Sequence, residues 1–125
     1  MPFSHLWRDY NTQRDRRLHL IPKLILVSQS YVHTQKNQVT ELHEAGEHAR
    51  QMKEFGFALI GEQFAAEKNF SKQIRSFLIA CHHHPALIAK ISFHDIEHEL
   101  LDAEAQMHML HTFIIGTERR RLQHV

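Results

Sequence analysis

Arg16-Arg17-Leu18-His19-Leu20-Ile21-Pro22-Lys23-Leu24-Ile25-Leu26-Val27-Ser28-Gln29-Ser30-Tyr31 is the stretch on which the fold turns. Proline holds its φ near the helical value and has no N–H, so it suits a first helical position, while it pushes Ile21 before it out of the α region. The stretch therefore predicts a corner. One helix ends before Pro22, with Arg16 and Arg17 in its last turn, where cations complement the negative end of the dipole. A second, antiparallel helix opens at Pro22.

Towards the N-terminus, Phe3 to Leu20 reads as a short first helix with Ser4 as its cap and Phe3, Leu6, Trp7 and Tyr10 on one side. Arg14 and Asp15 interrupt that row, so the first helix is expected to be the shortened one. Beyond the corner, Leu24, Ile25, Ser28, Tyr31, Val32, Gln35, Val39, Leu42, Gly46 and Ala49 keep a three-and-four spacing, predicting one long helix from Pro22 to about Lys53. Gly56 and Gly61 bracket Phe57 to Ile60 and mark the next connection. A third helix is expected from about Glu62 to His82. The run His82, His83, His84 then meets Pro85, a second proline-marked corner.

From Pro85 to Arg119 the residues Ala89, Phe93, Ile96, Leu100, Ala103, Met107, Leu110 and Ile114 form one stripe, and Arg119, Arg120 and Arg121 suit a C-terminal turn. No stretch alternates as a strand would. The expectation is all-α: a single domain over 1–125, folded as an antiparallel up-down-up-down four-helix bundle with coiled-coil-like packing and a shortened first helix.

Composition narrows the function classes. At 125 residues, 42% hydrophobic and 23% charged, the chain has the make-up of one soluble globular domain. A formal net charge of +1 gives no overall field to draw in nucleic acid. Cys81 is the single cysteine, which excludes an internal disulfide and every zinc motif built on paired cysteines; its place in the row Phe70, Ile74, Phe77, Cys81 predicts a buried, inert thiol. No apolar run approaches the roughly 20 residues that span a bilayer, and Met1 to Trp7 lacks the regions of a signal peptide.

Two stretches together resemble the LemA family. In the first, Trp7, Gln13, Arg16, Arg17, Leu20, Ile21, Pro22, Leu24 and Tyr31 stand without a gap where that family carries Trp, Gln, a basic pair, Leu-Ile-Pro and a later Tyr. In the second, Pro85, Leu87, Ala89, Phe93, Ile96, Glu99, Leu100, Glu104 and Phe113 follow its aromatic-Pro-x-Leu, Phe, Glu-Leu and Glu pattern. The family's aromatic-Pro corner is His84-Pro85 here, His111 replaces a typical Arg, and Ile114-Ile115 replaces Tyr-Asn. The resemblance implies a bacterial, membrane-associated helical bundle with no established catalytic activity. Such proteins begin with a membrane-spanning helix that runs into the first bundle helix, so this chain is expected to be cytoplasmic as it stands and anchored if an upstream spanning helix has been removed.

Thirteen histidines make a metal site worth weighing, since imidazole is the commonest metal ligand. Glu44, Glu47 and His48 with Asp95 and His98 are the best set, Asp95-x-x-His98 having the three-residue spacing of di-iron bundles. At roughly 100° per residue, however, His98 lies nearly opposite the Phe93, Ile96, Leu100 stripe and should face water. No metal or other cofactor is therefore expected, and a metal-binding bundle is the alternative reading. His111 falls at the edge of the stripe and should be a boundary residue.

Arg16 and Arg17 with His82, His83 and His84 share one end of the expected bundle and form a possible anion patch. Arg14 and Arg119 to Arg121 do not join it, which argues against nucleic acid. Glu99 and Glu104 point about 140° apart, which excludes a catalytic pair and predicts that one meets Arg16, Arg17 or another base. With no nucleophile triad, phosphate loop or Cys-His pair in view, the reading is a non-catalytic interaction or scaffold module. A protein partner or a second copy should cover apolar surface that the short first helix leaves bare near Arg119.

Overall fold

The computed structural model describes residues 2–32 and 35–123, with side chains from 4 to 120; the side chains of Phe3 and Arg121, named above, lie outside the described residues. Five helices follow one another: α1 (Pro2–Ser28), α2 (Lys36–Lys53), α3 (Ile60–Cys81), α4 (Pro85–Ile88) and α5 (Ile91–Gln123). Among the described residues there is no strand. Among the described residues no helix is long and apolar enough to cross a membrane.

The corner expected at Pro22 is absent, because α1 runs unbroken through it. Arg16 and Arg17 accordingly lie within a helix rather than in its last turn, and the first helix, 27 residues long, is not shortened. A proline inside a helix removes one backbone bond and crowds the carbonyl four residues back, at about 3 kcal/mol. Here the penalty falls on the solvent side: Pro22 is exposed, so water can reach the freed carbonyl, while Leu20, Ile21 and Leu24 bury the opposite side. Burying each such aliphatic side chain returns about 1.5–3 kcal/mol, which outweighs the lost bond.

The true stop comes after Ser28. Its hydroxyl donates to the Leu24 carbonyl at 2.6 Å, and its own carbonyl accepts from the N–H groups of Tyr31 and Val32. Serine side chains that bond backward in this way compete with the helical ladder.

The expected fourth helix is likewise interrupted, at Ala89-Lys90. In an unbroken helix Leu87 and Phe93 would point about 120° apart. The break allows both to be almost fully buried.

Two compact units result: Met1–Ile21 with His98–Val125, and Pro22–Glu97. The first holds the opening turns of α1 and most of α5, with Trp7, Tyr10, Leu100, Ala103, Met107, Leu110 and Ile114 in its core. In the second, α2 and α3 pack as a hairpin. Small buried residues of α2 (Ala45, Gly46, Ala49) lie on its inner side, and Phe70, Ile74 and Phe77 of α3 are almost wholly enclosed. The all-α expectation holds, with five helices rather than four among the described residues.

The α2–α3 connection is ordered by one side chain. Gln63, fully buried in the first turn of α3, donates its amide N–H groups to the Gly56 and Ala58 carbonyls at 2.9 and 2.7 Å. Gly56 takes φ +60°, which glycine tolerates, but Leu59 also sits at φ +54°, where a side chain costs about 1–2 kcal/mol.

Because α1 is continuous, Pro22→Ala restores a helical N–H without touching the core. The variant is expected to raise unfolding free energy by about 1–3 kcal/mol in urea titration; a corner at this position would instead lose stability.

Candidate functional site: an arginine–carboxylate ladder

Within the first unit, α1 presents Arg14, Arg16 and Arg17 in succession, and each is tied to a neighbour. Arg14 is buried; its guanidinium carbon stands 5.4 Å from the ring centres of both Trp7 and Tyr10, and Nη1 donates to Asn11 Oδ1 at 2.8 Å. Trp7 and Tyr10 stack with ring centres 5.8 Å apart, giving the cation two aromatic faces.

Arg16 and Arg17 reach across to α5. Arg16 Nη1 donates to Asp102 Oδ2 at 2.7 Å and Nη2 to Glu99 Oε2 at 3.4 Å. The Asp102 carboxylate, aided by Glu99, holds the Arg16 guanidinium above its ordinary range. Arg17 goes deeper: its side chain is 0% exposed and Nη1 donates to Glu104 Oε1 at 2.6 Å, with the Glu104 side chain 23% exposed. Both glutamates singled out in the sequence therefore meet the basic pair, one each. Glu99 and Glu104 are spent on arginine rather than set against each other as acid and base.

Of the residues read as an anion patch (Arg16, Arg17, His82, His83 and His84), the two arginines are already paired with carboxylates. Arg17 is sealed from solvent, Arg16 is held by two carboxylates, and neither lies at a helix end. The histidines belong to the second unit and have their own partners. His82 Nε2 lies 2.6 Å from Glu97 Oε2, and its ring stands edge-on to Phe93. His84 stands edge-on to Tyr31, over which Lys90 places its ammonium at 5.3 Å; His83 is exposed. Tyr31 and the His84-Pro85 corner, 53 residues apart in sequence, thus meet in space.

The metal set is not brought together. Glu44, Glu47, His48, Asp95 and His98 are all exposed, and among the described residues no three His, Cys, Asp or Glu side chains stand close enough to share an ion. Glu47 is engaged by Arg50, which holds its carboxyl below the usual carboxylate range. Asp95 lies beside His94 at 3.8 Å.

Cys81 is enclosed, and burial pushes its thiol up to about 11, against the opposing bond to Ser28. His111 is half-buried, and burial with the neighbouring His108 holds its imidazole below the ordinary value. A cavity of about 540 Å³ is lined by Ile25, Val32, Val39 and Phe77 together with Lys36 and Thr40. Its lining comes from residues distant in sequence, so sequence reasoning missed it.

The stripe expected to lie bare near Arg119 is covered, Leu110 and Ile114 being buried, and the apolar surface that α5 exposes is another one. Leu101, Ala105, Met109 and Phe113 recur every four residues and are exposed along one side of α5, while Leu100, Ala103, Met107, Leu110 and Ile114 face the core. They are bare because they point away from the core, not because α1 is short.

The model of the LemA family matches residues 6–118. No curated protein and no solved structure matches the chain.

Removing Glu104 strands a buried guanidinium, and Glu104→Ala is expected to cost about 3–5 kcal/mol in denaturant unfolding. The double variant Arg17→Met/Glu104→Leu, which removes both charges, should recover most of that loss. For His111, the unfolded chain takes up its proton near the ordinary value of about 6.5, before the folded chain does. Between that pH and the lower folded value the unfolded state holds more protons, so this stabilising contribution is complete above the window and is lost as pH falls through it. Unfolding midpoints measured from pH 7.5 to 5 should decline less steeply in His111→Gln than in the parent.

Proposed function

Since this chain belongs to the LemA family, we propose that it is a non-catalytic interaction or scaffold module, placed at the inner membrane or its cytoplasmic face, that takes a protein partner or a second copy of itself. The observation that carries the reading is the outward ridge of α5. Leu101, Met109 and Phe113 are each about half exposed, at 55%, 47% and 54%. Large apolar side chains aligned at helical spacing form a surface that another helix can cover, as in helix-in-groove recognition.

The ladder supports the same reading from the other side. A catalytic acid or base needs a side chain left to exchange a proton with a substrate. Arg16, Arg17, Glu99, Asp102 and Glu104 are instead occupied in joining α1 to α5. The charges therefore act as fasteners, and recognition falls to the apolar ridge.

Light scattering over a concentration series tests the reading, together with cross-linking in an extract. Association is expected, and Met109→Glu/Phe113→Glu should weaken it at least ten-fold while leaving the helical content intact. A parent that stays monomeric at high concentration and captures nothing through this ridge overturns the proposal. So does stoichiometric iron, manganese or zinc in protein purified without a histidine tag.

A further inference from the structure

The α2–α3 connection places Phe55-Gly56-Phe57-Ala58-Leu59-Ile60-Gly61 at the tip of a helical hairpin, seven successive residues without one polar side chain. Phe55, Phe57 and Leu59 are 50%, 51% and 45% exposed. Such a tip would ordinarily hide its apolar groups and show its backbone to water. Here the arrangement is reversed.

Several of the backbone groups of this tip are served from within. The N–H groups of Phe55, Gly56 and Ala58 donate to the carbonyls of Met52, Lys53 and Phe55 at 3.2, 3.2 and 3.0 Å. The Gly56 and Ala58 carbonyls accept from the buried Gln63 amide, and the Leu59 carbonyl accepts from the Gln63 backbone N–H at 2.9 Å. Internal pairing of this kind is what a segment needs before it can leave water for hydrocarbon, where an unpaired amide has no partner. Leu59 holds a left-handed φ to complete the turn.

From these features we infer that the hairpin tip dips into the interfacial zone of a lipid bilayer, with Phe55, Phe57 and Leu59 as the inserted side chains. The inference deepens the membrane placement proposed above and rests on it. Size decides between lipid and protein as the occupant. Three half-exposed side chains of this kind offer on the order of 300 Å², well short of the roughly 800 Å² per partner in a standard protein interface. A convex tip with no side-chain donor or acceptor also lacks the polar contacts that fix a protein partner. A bilayer asks for neither. The flanking charges are of both signs, Arg50 and Lys53 against Glu54 and Glu62, so the attraction is apolar and insensitive to salt.

Flotation of the full chain with phosphatidylcholine vesicles, with and without phosphatidylglycerol, at 50 and 500 mM salt tests this. The parent should float equally in all four conditions, and Phe55→Ser/Phe57→Ser, checked by circular dichroism for unchanged helix, should float at least five-fold less. In Phe57→Trp, brominated lipids should quench the added emission. Equal flotation of parent and double variant overturns the tip while leaving membrane placement standing; no flotation of the parent overturns both. Binding lost at high salt overturns the apolar attraction. Association between copies that depends on Phe57, without lipid, overturns the choice of bilayer in favour of a protein partner.

Discussion

A guanidinium taken fully out of water must be matched where it lies, and that requirement sets the relation of α1 to α5 in the first unit. Arg17, wholly enclosed, has Glu104 at 2.6 Å. A slip of either helix by one residue would turn Glu104 by about 100° and leave a bare charge in the interior. Arg16 with Asp102 and Glu99 repeats the constraint nearer the surface. Apolar packing supplies most of the energy here, and it is tolerant of small shifts; ion pairs are not. Register comes from the charges and cohesion from the side chains around them.

Much of this was legible in the residues. The periodicity from Phe93 to Ile114 describes the buried side of α5, and the separation of Glu99 from Glu104 already excludes a pair and directs one of them to a base, where the structure gives both an arginine. Cys81 follows its apolar row into the interior. Pro22 misleads because local stereochemistry is only one side of the balance: the ring sits on the wet face while Leu20, Ile21 and Leu24 are buried opposite it. Ser28 was hard to read as a stop because the apolar spacing carries straight through it. Its effect depends on a hydroxyl turned back onto the Leu24 carbonyl. The interruption at Ala89-Lys90 answers to tertiary fit between Leu87 and Phe93, which no local pattern encodes.

The ladder could be anticipated as pairs but not as depth. Nothing in Arg16-Arg17 distinguishes the surface arginine from the enclosed one until α1 is known to continue past them. Among the histidines of the Pro85 corner, His84 meets Tyr31 and His82 meets Glu97.

The buried amide of Gln63 has a bearing on how long the chain survives around proteases. Phe55, Phe57 and Leu59 are the side chains that chymotrypsin-like enzymes seek, and they stand in the open. Cleavage, however, requires a substrate drawn out into an extended strand. Two carbonyls of this turn are fastened to the buried Gln63 amide, so straightening it means breaking both bonds and leaving that amide unpaired. Susceptible residues are thereby displayed on a backbone that resists being cut.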